Sequence, residues 1–268
     1  MPFKEQKFKY DVTTLKIIGC GNHKKILLTY NNCVRRKHLE GVSDEKNISD
    51  DDNEYSKFNE SIIRSKRVVR ELSLCNPWDY FCTMTIDSKK YNRTDLNTFF
   101  KHFRKYINNL NRKDDFSISY LFIPELHNDG LNWHLHGFIN GLPLSALKQF
   151  KIGDKMSSKL AEKVFQGDII YNWLGYSERF GFCDLEKIKS PERVSSYITK
   201  YINKNLAESV TAINAHKYYC SHGLKKAELI KSGFFYGNVD YDFEGEYCKI
   251  KSFDYSEELL KQLCDCIE

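Results

Sequence analysis

The chain has 268 residues, of which 41% are hydrophobic, with 18 Phe, 17 Tyr and 3 Trp. That is enough for one sizeable domain with additions, or for two small ones, and it excludes disorder throughout. A net charge of +5 permits an anionic partner without requiring one.

Nine cysteines stand at 20, 33, 75, 82, 183, 220, 248, 264 and 266. Their number is odd and none form a CxxC pair, so they read as reduced, mostly buried thiols. Residues 1–16 contain no apolar core of a signal peptide, and no apolar run approaches the roughly 20 residues of a membrane span. The expectation is a cytoplasmic protein without membrane contact.

In chain order, Lys16–Cys20 and Ile26–Tyr30 read as two short strands. Residues 43–60 are acidic and polar, and read as a solvated loop or linker. Over 61–74, Ile62, Ile63, Val68, Val69 and Leu72 recur at helical spacing, interleaved with Arg64, Lys66, Arg67 and Arg70. This predicts an amphipathic helix with a basic face, either merely solvated or in contact with DNA. Residues 78–87 predict a buried strand. A helix over about 94–110 turns Leu96, Phe99, Phe100, Phe103 and Ile107 inward. Strands over 116–124 and 133–140 flank a turn at Asn128-Asp129-Gly130 and form a hairpin.

Helical segments are expected at Leu144–Phe150 and Ser157–Trp173, then a strand over 180–187. Ser190-Pro191 opens a helix that runs to about Leu206. Residues 216–225 read as a strand leading into a turn, and 233–268 as two strands and a short terminal helix. The order predicts an α+β fold, a central antiparallel sheet flanked by helices. Three parts are expected: an N-terminal extension with an acidic linker over 1–60, a central domain over 61–230 and a C-terminal extension over 231–268.

Chemistry concentrates at two places. On a strand, His134 and His136 point to one face, with Cα atoms about 6–7 Å apart, which suits gripping one metal ion. A pair of solvated polar residues is the bland reading, and the apolar runs on both sides weigh against it. Phe138 shares the parity of the histidines, which predicts a twist or bulge there. In the hairpin, Glu125 falls close to the pair and adds a carboxylate. Such a mixed site suits Mg²⁺ or Mn²⁺. His127 has the same parity as Glu125 and reads first as a loop or supporting residue, with extra ligand as the alternative.

The second place is Tyr197 and Tyr201, four apart on a helix and therefore on one face, with Lys200 and Lys204 beside them. Alone, such a pair is usually core packing. Together with a metal site it suits transesterification on phosphate. A metal offsets charge on the phosphate. A tyrosine hydroxyl, with a pKa of about 10, becomes a nucleophile once helped by a base, a metal or a cation such as Lys200.

Here the chain resembles the HUH endonuclease superfamily, in particular the two-tyrosine Rep proteins of rolling-circle plasmids and single-stranded DNA phages. Phe81-Cys82-Thr83-Met84-Thr85 resembles the first motif of that family. Trp133-His134-Leu135-His136-Gly137 resembles its metal-binding motif, and Tyr197-Ile198-Thr199-Lys200-Tyr201 its nucleophile motif. Ser221-His222-Gly223-Leu224-Lys225 resembles a segment that follows in bacterial members. The resemblance covers about 78–225. It implies a ferredoxin-like or RRM-like core, Mg²⁺ or Mn²⁺ held by His134, His136 and Glu125, and Tyr197 as nucleophile with Tyr201 as second candidate. It also implies a 5′-phosphotyrosine intermediate, a free 3′ hydroxyl and single-stranded DNA at a replication origin as partner. No Gly-Lys dipeptide occurs, so there is no Walker A loop, and a host helicase and DNA polymerase are expected partners.

Other readings stand beside it. A relaxase carries its tyrosine nearer the N-terminus, and a single-tyrosine transposase is usually shorter. A non-catalytic RRM-like protein would stack bases on aromatics and meet phosphates with lysines. A zinc hydrolase built on His134 and His136 leaves the tyrosines unexplained.

Overall fold

Along β3 (Tyr80–Thr85) buried and half-buried residues alternate at every position, as the period of a pleated strand requires. It lies inside a seven-stranded antiparallel sheet of order β6-β7-β8-β3-β5-β4-β9. The other strands are β4 (Ser119–Leu126), β5 (Trp133–Asn140), β6 (Leu147–Gln149), β7 (Ile170–Trp173), β8 (Cys183–Lys187) and β9 (Tyr219–Cys220). This computed structural model describes residues 7–36, 50–113, 116–127, 129–190, 195, 197, 198, 201, 202, 216–245 and 248–268. The architecture is α+β, with helices packed on antiparallel sheets.

Both faces of this sheet are covered. On one, α2 (Leu96–Lys113) buries Leu96, Phe99, Phe100, Phe103 and Ile107 against Cys82, Met84, Phe122, Leu135, Ile139 and Leu185. Asp95 caps the helix, its carboxylate accepting from the Thr98 amide at 3.0 Å, and so satisfies one of the unpaired first-turn donors. Burying each Phe contributes roughly 1.5–3 kcal/mol, so this face anchors the sheet. On the other face, Ile62, Val69 and Leu72 of α1 (Asp50–Cys75) and the helical residues Ile198 and Ile202 close over Leu121, Ile123 and Phe138.

The chain folds as two compact units, one of Lys57–Leu224 and one that joins Met1–Ser56 to Lys225–Glu268. The second unit holds a five-stranded antiparallel sheet of order β10-β1-β2-β12-β11. Its strands are β1 (Lys7–Ile18), β2 (Lys25–Arg36), β10 (Glu228–Gly233), β11 (Phe243–Glu244) and β12 (Cys248–Asp254), with helix α5 (Glu257–Asp265) following. Leu15, Ile26 and Leu28 pack there on Leu263 and Ile267.

Several expectations need correction. The acidic stretch from 50 to 60 is helical, because α1 begins at Asp50; residues 43–49 lie outside the described residues. The stretch contains no Gly or Pro, and carboxylates are favoured at the amino end of a helix. Residues 144–150 hold a short 3₁₀ turn and β6 instead of a helix. The segment is too short to sustain an isolated helix, and Leu147 pairs with Trp173 instead. The helix expected over Ser157–Trp173 stops at Phe165 as α3 (Ser158–Phe165). Gly167 takes a φ of 93°, a left-handed turn that suits glycine and ends the helix. Beyond it β7 pairs with β8, and α4 (Leu174–Arg179) follows. Phe138 forces no bulge: the pairing of β5 with β3 and with β4 runs unbroken from 134 to 139. It shares the histidine face and lies under Trp78, ring centroids 5.5 Å apart.

Candidate active site

Register positions the candidate residues. Directly opposed residues in an antiparallel pair share a face. His134 stands opposite Thr85 on β3 and Glu125 on β4, and His136 opposite Thr83 and Ile123. Thr83 in turn stands opposite Asp184 on β8. One face therefore presents two imidazoles, two threonines and two carboxylates on four adjacent strands.

Close approach of β4 to β5 is possible because residue 137 is glycine. A Cβ there would lie 2.0 Å from the Leu121 carbonyl oxygen and 2.8 Å from the Phe122 Cα.

Glu125 and His136 are in contact, Oε2 to Nε2, at 2.6 Å. His134 instead lies against His127, ring centroids 4.7 Å apart and planes 16° from parallel. The Nδ1 of His127 is 3.6 Å from Asp129 Oδ2, so this histidine, at the end of β4, backs His134. Among the described residues, no three His, Cys, Asp or Glu side chains already converge as a metal cage. Glu125 and His136 are brought together, and His134 is held beside them on the same face.

Burial pushes the His134 imidazole down to about 4, aided by the charges of His127, His136 and Arg93 and opposed by Glu125. Its ring is therefore neutral near pH 7 and keeps a lone pair. Its Nε2 and the Nδ1 of His136 are buried with no hydrogen-bond partner. Buried polar nitrogens left unpaired are costly. Two imidazoles and a carboxylate are a donor set that fits Mg²⁺ or Mn²⁺.

Asp184 escaped the sequence reading. Burial raises its carboxyl to about 6, reinforced by Glu186 and opposed by Lys163, His136 and a hydrogen bond from Thr83. Only the pairing of β8 with β3 brings it to this face, and nothing near it in sequence signals that.

Over the histidines lie the tyrosines. Tyr197 and Tyr201 are both helical, anchored by the buried Ile198 and Ile202 on the sheet. The Tyr201 ring lies flat on His136, centroids 4.3 Å apart and planes 13° from parallel. Its hydroxyl donates to the Tyr197 oxygen at 2.8 Å. Tyr197 packs edge-on against Phe81 at 5.7 Å and keeps 47% of its surface exposed. Burial holds the Tyr201 hydroxyl well above its usual range, reinforced by the Tyr197 hydrogen bond and by the charges of Tyr197, Glu125 and Asp184. Lys200 and Lys204 lie outside the described residues.

An antiparallel sheet with this histidine–carboxylate face and two tyrosines above it has the parts for chemistry on a phosphate ester. Residues 79–206 match the family model of the replication-associated protein ORF2/G2P. The match covers slightly less than half of the chain. It runs from the start of β3 past the tyrosines, so Glu125, His134, His136, Tyr197, Lys200 and Tyr201 all fall inside it. No curated protein matches the chain, and no solved structure does. No helix among the described residues is long and apolar enough to cross a membrane.

Proposed function

We propose that the protein initiates rolling-circle replication by nicking and rejoining single-stranded DNA at an origin through a 5′-phosphotyrosine intermediate. The observation that carries this reading is the Tyr201 ring stacked on His136, which puts the tyrosine pair directly over the candidate metal ligands. A nucleophile is useful only within reach of the group it attacks, and neither feature alone indicates strand transfer.

His134, His136 and Glu125 would hold Mg²⁺ or Mn²⁺. Such an ion, when bound, offsets the charge that develops on the phosphate. The Tyr197 oxygen forms a bond to phosphorus, and the bond from phosphorus to the 3′ oxygen breaks. The phenolic proton leaves to solvent, and the departing 3′ oxygen takes one up. The phosphate ester is conserved, so the reverse attack rejoins the strand. Lys200, one turn from Tyr197 in sequence, is proposed to meet the phosphate. A host helicase and DNA polymerase would act on the nicked product in the cytoplasm.

The test is an incubation with single-stranded DNA tiling the encoding replicon, in Mn²⁺ or in EDTA, followed by a denaturing protein gel. The expected result is a slower band in Mn²⁺ alone that is lost in the Tyr197→Phe, Tyr201→Phe double variant. DNA binding without any such band in Mn²⁺ overturns strand transfer and favours an RRM-like binding protein.

A further inference from the structure

We propose that Tyr201 is a positioning residue, held by His136 and donating a hydrogen bond to the Tyr197 oxygen, and that Tyr197 alone makes the first cut. The inference rests on the strand-transfer reading above.

Three contacts argue for this division of labour. First, the hydrogen bond has a direction: the Tyr201 hydroxyl donates to the Tyr197 oxygen at 2.8 Å. A donor aimed at that oxygen stabilises the negative charge that builds there as the proton leaves. Second, the Tyr201 ring is pinned flat on His136, 4.3 Å away, while the Tyr197 ring stands nearly perpendicular to it at 88°. The donor is therefore held by the sheet. Third, Tyr197 is 47% exposed and is flanked by Phe81 edge-on. A DNA strand arriving from solvent reaches Tyr197, and Tyr201 lies beneath it on the histidine. A nucleophile with its supporting donor immobilised on the metal-site histidine needs little reorganisation at the moment of attack.

A hydrogen bond to a charged oxygen is worth enough to change a rate about 10- to 100-fold. Removing the Tyr201 hydroxyl while keeping its ring should cost a factor of that size in forming the adduct, with no change in DNA affinity.

The experiment maps the adduct within a single turnover, with single-stranded DNA tiling the replicon and Mn²⁺. Lys200 lies between the two tyrosines, so trypsin separates them onto different peptides and mass spectrometry assigns the attachment. The wild type should carry DNA on the Tyr197 peptide. Tyr201→Phe should carry it there too, formed about 10- to 100-fold more slowly, while its DNA affinity in EDTA stays within about twofold of wild type. A first adduct on Tyr201 in the wild type overturns the inference and leaves strand transfer standing. So does an unchanged rate in Tyr201→Phe, or a loss of DNA affinity that accounts for a slower one. Absence of any adduct in the wild type overturns the strand-transfer reading itself.

Discussion

Glu125 stands directly opposite His134 in the β4–β5 pairing, yet its carboxylate meets His136, one pleat away, at 2.6 Å. The diagonal contact leaves His134 to stack on His127. One carboxylate thus holds one imidazole in place, and each imidazole keeps one unpaired buried nitrogen, Nε2 of His134 and Nδ1 of His136.

Glu125→Gln tests the weight of that contact. It preserves shape but removes the charge. On the metal-site reading, Mn²⁺ affinity should fall by at least about 10- to 100-fold, the loss typical when even an outer partner of a metal ligand is removed. Calorimetric titration with Mn²⁺ in the absence of DNA measures it. An unchanged affinity would remove Glu125 from the site.

Gly137 offers a sharper structural test. The added methyl of Gly137→Ala meets the backbone of β4, at Leu121 and Phe122, and backbone cannot rotate away. Overpacking of this kind costs about 1–3 kcal/mol, and more where no relief exists. The urea midpoint should fall accordingly, and the strands carrying Glu125 and His136 should be forced apart.

Phe103 is fully buried beneath the sheet, with ring neighbours Tyr120 at 5.1 Å and Phe180 at 5.7 Å. Phe103→Ala should cost about 3–5 kcal/mol, read by chemical denaturation of the full chain. Because α2 lies on the face opposite the tyrosines, the residual folded protein should keep its candidate site.

Alkaline pH tests the edge of the same core. Burial raises the Tyr219 hydroxyl to about 12, with Asp95 reinforcing and Arg104 opposing. Its ring is stacked on Phe100 at 3.6 Å. The unfolded chain releases this proton near pH 10, earlier than the folded one. The associated stability is therefore full below about pH 10 and lost as pH rises toward about 12, an amount on the order of 2 kcal/mol. Thermal melts between pH 9 and pH 11 (about the usable range) should decline less steeply in Tyr219→Phe than in the wild type.

Legibility in the sequence followed the range of the interaction. Residues 133–140 were legible as a strand with the bounds observed for β5, and the phenylalanine spacing predicted the inward face of α2. Strand parity was enough to put His134 and His136 on one face, and hairpin pairing was enough to bring Glu125 near. Asp184 could not be found that way, because its place depends on β8 pairing with β3 across about a hundred residues of chain. The stacking of Tyr201 on His136 depends likewise on tertiary packing. The short segments at 147–149 and 170–173 carry no decisive period, which is why strands there read as helix.

The five-stranded sheet interleaves segments from far apart: β1 pairs with β10, and β2 with β12. On the ribosome, the β1–β2 hairpin must therefore wait for residues 228–254 before its sheet can close. Residues 57–224 are continuous and under no such delay. During synthesis the histidine and tyrosine face can be complete while the hairpin made first still has exposed edges, which makes that hairpin the segment most in need of protection from stray pairing.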